Sequence, residues 1–149
     1  MGEYDDKEAY YMEVALEVSK QALPDCLPNP PVGCVIVSKG RIIAKGFTQP
    51  PSKPHAEVHA LSQIPKNINN LTIYVTLEPC SFYGKTPSCA ETIATDNRIS
   101  KIVVAIIDPD PRNNGKGIDV LKSVGKEVVL GISSKEVSMF LLPFLSKGD

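Results

Sequence analysis

Three metal-binding side chains stand far apart along this sequence, and whatever fold the chain adopts must bring them together. His55 lies in Pro54-His55-Ala56-Glu57, Cys80 follows Glu78-Pro79, and Cys89 comes after the eight residues Ser81 to Ser88. One imidazole and two thiols suit zinc. Three protein donors also leave a tetrahedral ion with one position open to water, which is the pattern of a catalytic site. Glu57 stands two residues after the histidine, beside the metal but outside the ligand set. A carboxylate placed there can take a proton from an attacking water and pass it to a leaving group. The plain alternatives are a structural zinc site or coincidence, and the spacing, the flanking prolines and the non-ligand glutamate together argue against them.

The rest of the composition narrows the class. A chain of 149 residues fits one domain, 1–149, with enough length for a real core. A net charge of −1 gives no general basic surface, which argues against nucleic acid as a partner. No apolar run approaches bilayer length, so no membrane partner is expected. Met1 to Lys7 is acidic and polar, without an apolar signal core, and the expectation is a cytoplasmic protein. In that setting four cysteines read as metal ligands or buried apolar residues, not disulfides. Cys80 and Cys89 fit the first description, Cys26 and Cys34 the second.

Periodicity predicts a helix over Lys7–Leu23, ended by Pro24, and a stiff extended connector at Pro28-Asn29-Pro30-Pro31. Val32–Val37 and Arg41–Phe47 read as a hairpin turning at Lys39-Gly40. A helix is expected over His55–Ile64 with the histidine at its N-terminus, then a central strand over Leu71–Leu77. Ser88 and Glu91 stand at capping-box spacing, so Cys89 also falls at a helix start. A strand over Lys101–Ile107, a short helix over Gly115–Ser123 and a strand over Glu127–Leu130 follow. A last helix is expected over Ser134–Leu145, interrupted at Pro143. Strands alternating with helices imply an α/β fold layered as α/β/α, around a mixed sheet of about five strands.

Asn29-Pro30-x-Val32-Gly33-Cys34 and His55-Ala56-Glu57-Val58-His59-Ala60-Leu61 resemble the deaminase domain of riboflavin biosynthesis. So do Tyr74-Val75-Thr76-Leu77-Glu78-Pro79-Cys80-Ser81, Gly84-Lys85-Thr86-Pro87, Cys89 and Asp108-Pro109. His-x-Glu with Pro-Cys and a later Cys is the general zinc deaminase signature. The long spacing between the two cysteines, with Gly-Lys-Thr-Pro inside it, is similar to this branch and not to the cytidine, tRNA-adenosine or polynucleotide branches. The resemblance implies a cytidine-deaminase-like fold and hydrolytic removal of an exocyclic amine from a diaminopyrimidine carrying a phosphorylated sugar chain. It implies zinc on His55, Cys80 and Cys89, with Glu57 as proton shuttle. It also implies substrate contacts from Asn29, Ala56, Lys85 and Asp108. The apolar stretch Val137–Leu145 reads either as ordinary core or as the interface of a homodimer or higher homo-oligomer. Bacterial enzymes of this type carry a C-terminal reductase domain, and this sequence is expected to hold none.

Two departures stand out. The family usually has histidine at the positions of Thr48 and Phe82, both in substrate-facing loops, so a paralogue acting on another aminated heterocycle is a second reading. A zinc module without catalysis is a third. The plainer alternatives are turn residues before a proline for Asn29 and Asp108, and a solvated loop lysine for Lys85. His59 shares a helix face with His55 and reads as a residue packed behind the site, not as a fourth ligand.

Overall fold

The strands decide the layering. In β1 (Gly33–Ser38), Cys34 and Ile36 enter one core while Val35 and Val37 enter the other. In β4 (Ile99–Ile106), Ile102 and Val104 oppose Val103 and Ala105 in the same way. A sheet that is apolar on both faces must be covered twice. The computed structural model describes residues 6–81 and 88–145. In it, α1 (Asp6–Ser19) and α5 (Ser134–Leu141) cover one face through Met12, Ala15, Val18, Val137 and Leu141. The other face is covered by α2 (Ala56–Leu61), α3 (Cys89–Ala94) and α4 (Lys116–Ser123), through Ala60, Leu61, Ile93 and Leu121.

The sheet has five strands in the order β2-β1-β3-β4-β5, where β2 is Arg41–Phe47, β3 is Leu71–Leu77 and β5 is Glu127–Leu130. β1 runs antiparallel to both β2 and β3, while β3, β4 and β5 are parallel. The expected mixed α/β/α architecture is therefore the one observed. Lys39 and Gly40 turn the hairpin with φ of 51° and 76°, the left-handed pair that matches strand twist. Cys26 and Cys34 are fully buried free thiols, as expected. Among the described residues no helix is long and apolar enough to cross a membrane.

Several boundaries differ from the sequence reading, four of them with a clear physical reason. α1 closes at Ser19 into a short 3-10 turn over Lys20–Ala22. The proline connector is turned, not extended, up to Asn29: Leu27 N–H donates to Pro24 O at 3.1 Å and Asn29 N–H to Cys26 O at 2.9 Å. Proline removes its own N–H but its φ suits a turn, so consecutive turns compete with extension. α2 stops at Leu61, where Gln63 and Ile64 bond back three residues and Pro65 disfavours further helix. At the C-terminal end Pro143 sits in a 3-10 turn, Leu142–Phe144, instead of interrupting a longer α-helix.

Candidate metal centre

Three chain segments converge at the carboxyl ends of the central strands, where open α/β sheets place ligand sites. β3 ends at Leu77 beside Ile106 of β4, and Glu78-Pro79-Cys80 and Asp108 leave the sheet from there. His55 is the N-cap of α2, with extended backbone at φ −74° and ψ 173°. Cys89 opens α3, whose N-cap Ser88 accepts the Glu91 N–H at 3.1 Å, as the Ser88/Glu91 spacing predicts. Cys80 is held by its backbone: its carbonyl accepts from Ala90 N–H at 2.9 Å, and its sulfur from Cys89 N–H at 3.4 Å.

The donor atoms meet. His55 Nδ1 lies 3.1 Å from Cys89 Sγ and 3.8 Å from Cys80 Sγ, and all three lie within 4.8 Å of one another. Zinc bonds of about 2.0–2.3 Å in a tetrahedron put neighbouring donors roughly 3.5–3.8 Å apart, so the set fits zinc in donor type and in spacing. Cys89 is buried, Cys80 half-buried and His55 exposed, an arrangement that opens the centre on one side only.

Electrostatics couple the four side chains. The hydrogen bond from Cys89 is the main cause that pulls the Cys80 thiol down to about 4, with burial opposing and His55 assisting. The same pairing, with burial, raises Cys89. The hydrogen bond to Cys80 raises His55. Glu57 is 4% exposed. Burial, reinforced by the negative charge at Cys80, pushes its carboxyl up to about 7. A carboxyl that exchanges its proton near neutral pH is suited to a proton shuttle.

A cavity of about 540 Å³ opens over the centre. His55, Ala56, Glu57 and Cys80 line one end, and Asn29, Thr48 and Asp108 line other parts of it. Phe82 and Lys85 lie outside the described residues. Thr48 borders the cavity, but its hydroxyl is spent on the chain. It accepts from Val32 N–H at 2.9 Å and donates to Pro30 O at 3.0 Å. Asp108 lines the cavity, and its side chain accepts from Asp110 N–H at 3.0 Å as an Asx turn. Burial raises its carboxyl. His59 packs against Phe47: its Nδ1 accepts from Phe47 N–H at 3.2 Å, and its ring meets Phe47 edge-on at 5.2 Å.

Sequence reasoning missed Glu78, Asp110, Arg112, Phe144 and Leu145, all of which line the same cavity. Arg112 and Asp110 form an ion pair at 2.6 Å. Glu78 had a signal, since it sits within the Cys80 motif. Phe144 and Leu145 had none, since only the return of the chain past α5 brings them to the cavity.

Residues 5–106 match the cytidine and deoxycytidylate deaminase zinc-binding region. The chain is 42% identical over 126 residues to the riboflavin biosynthesis protein RibD of Aquifex aeolicus, covering 85% of this chain and 35% of that protein. It is 36% identical to the diaminohydroxyphosphoribosylamino-pyrimidine deaminase of Buchnera aphidicola subsp. Schizaphis graminum, covering 95% of each. The chain thus spans about a third of RibD-type relatives and nearly all of a shorter one. Acinetobacter baumannii RibD superposes with a TM-score of 0.88 at 43% identity, over 94% of this chain and 39% of that one. A dCMP deaminase from cyanophage S-TIM5, at 23% identity and a TM-score of 0.67, shares the fold.

Proposed function

The chain belongs to the cytidine and deoxycytidylate deaminase family, on its riboflavin-biosynthesis branch, and on that premise we propose that it is a zinc-dependent hydrolytic deaminase. Its substrate in this reading is a diaminopyrimidine bearing a ribosyl or ribityl phosphate, which loses an exocyclic amine as ammonia. The observation that carries the reading is the His55/Cys80/Cys89 set that fits zinc, with the buried carboxyl of Glu57 outside the ligand set beside it. The names of the RibD and deaminase relatives supply the substrate class.

His55, Cys80 and Cys89 hold the ion. Zinc held there would supply the Lewis acidity that brings the pKa of an attacking water towards neutrality. Glu57 takes the proton of that water and delivers it to the departing nitrogen, so one carboxyl serves as base and then as acid. Its burial excludes bulk water and keeps the proton within the site. Ala56, first residue of α2, offers its backbone to the base, and Asn29 and Asp108 border the space for the ring and sugar. Lys85 suits the phosphate as a point charge on a flexible stem. A cytoplasmic homo-oligomer belongs to the same reading, supported by Met139 and Leu142, which are 71% and 63% exposed.

A second reading keeps the chemistry and changes the heterocycle. It is favoured by Thr48, whose hydroxyl is occupied by Pro30 and Val32 where the family usually has a histidine. One assay separates the two. Ammonia release is measured from zinc-loaded protein with the ribosyl phosphate, the ribityl phosphate and cytidine. Turnover of either phosphorylated pyrimidine is the expected result, and the preferred one gives the order of deamination and reduction. Silence on both would overturn the riboflavin assignment and leave the second reading.

A further inference from the structure

Glu78 takes no part in the chemistry above, although it lines the cavity and is only 3% exposed. Both of its oxygens are held by backbone N–H groups from a single distant segment. Oε1 accepts from Asp108 at 3.1 Å and from Gly115 at 2.9 Å, and Oε2 accepts from Ile118 at 3.0 Å. The N-cap of α4 is Gly115, which has φ of 95° and no side chain to cap the first turn. The cap comes instead from the end of β3. Asn113 adds a second tether between the same two segments. Its Nδ2 donates to Pro79 O at 3.1 Å, and its Oδ1 accepts from Gly117 N–H at 3.1 Å. The segment held in this way carries Asp108, Asp110 and Arg112 along one wall of the cavity. The strand end that holds it continues directly into Cys80.

We propose that Glu78 is a positioning residue for substrate binding, because its carboxylate fixes the Asp108–Gly115 segment to the strand end bearing Cys80 and so sets the span between metal centre and Asp108. The kinetic part of this proposal rests on the pyrimidine-deaminase reading, whereas the clamp itself does not. A carboxylate suits the place because all three partners are donors. Glutamine would turn an N–H₂ group towards at least one of them. Aspartate is a methylene shorter and falls short of both Asp108 and Ile118.

The test compares zinc-loaded wild type, Glu78→Gln, Asp108→Asn and the double variant. Amide hydrogen exchange at Asp108, Gly115 and Ile118 is expected to quicken in Glu78→Gln, with zinc content unchanged. KM is expected to rise about tenfold with kcat within about threefold, the signature of lost uniform binding. The double variant should bind substrate no worse than Asp108→Asn alone, since both changes act through one group. Unchanged exchange would overturn the clamp. Faster exchange with unchanged KM, or additive effects in the double variant, would overturn the positioning role. A wild type inert to every pyrimidine would instead sink the deaminase reading, and the exchange result would still decide the clamp. If Glu78→Gln does not fold, Asn113→Ala cuts the parallel tether and should raise KM in the same way. An unchanged KM there would overturn the proposal.

Discussion

The two ends of the parallel strands use ionisable side chains for opposite work. At the amino ends of β3 and β4, Arg98 binds Asp96 through Nε at 2.9 Å and through a terminal nitrogen at 2.6 Å, and it also donates to Ile64 O at 3.2 Å. Lys126 donates to Asp96 O at 3.0 Å and Ile99 O at 2.6 Å. These cations close on carbonyls and a carboxylate that the fold itself must satisfy. At the carboxyl ends, His55, Glu57 and Cys80 face a cavity, and Glu57 stays buried although burial disfavours its charge. A charged group at a strand end therefore points to chemistry only where several converge on open space at an energetic cost. Where each is answered by its neighbour, it is a fastening.

That contrast is open to test, and the largest effect belongs at the cavity end. Glu57→Gln should lower kcat about a thousandfold while zinc content stays the same, because general acid–base transfer is lost and no ligand is touched. Stability should move the other way. Glu57 is an acid whose folded pKa, about 7, lies above its ordinary 4.5, so its ionisation opposes folding as pH rises between those values. In metal-free protein the variant should gain on wild type across that window by about 3 kcal/mol, at 1.36 kcal/mol per pKa unit. Denaturant titrations at a series of pH values would measure it, and a constant difference would place the cost of burial elsewhere.

A middle-sized effect probes a residue that breaks the rule. Thr48 stands at the cavity but acts as a fastening, so Thr48→Val should cost about 2 kcal/mol by leaving Val32 N–H and Pro30 O without their partner. Thermal unfolding would show it, with zinc content unchanged. The smallest effect belongs at the far end. Arg98 lowers the Asp96 pKa below 3.8, so the stability from this pair is present above that pH and is lost as pH falls through the lowered value. Asp96→Asn should cost about 1 kcal/mol at neutral pH, allowing for solvent screening, and nothing in strong acid, with kcat untouched. A change in kcat would mean that the two ends communicate.

Both the sheet and the metal centre were legible because their signals are local. β-branched runs mark Leu71–Leu77 and Glu127–Leu130 to the residue. His55, Glu57, Cys80 and Cys89 declare themselves through spacing and flanking prolines. The grip of Glu78 on Gly115 joins residues 37 apart, through backbone groups that every residue possesses, so no side-chain pattern announces it. Thr48 was legible as a departure but not in its role, which depends on Pro30 and Val32 lying across from it. Helix ends were blurred at Ser19 and Leu61 because turns bonded three residues back compete closely with the α-helix.

Three glycines seat helices directly on bare backbone. A methyl at Gly33 would overlap the Ala15 carbonyl of α1, one at Gly46 the Ala56 carbonyl of α2, and one at Gly117 the Pro79 carbonyl beside Cys80. Such seats have no graded adjustment, since the smallest side chain already exceeds the space. The seat at Gly46 therefore places α2, and with it His55 and Glu57, by main chain against main chain and not by any choice of side chain.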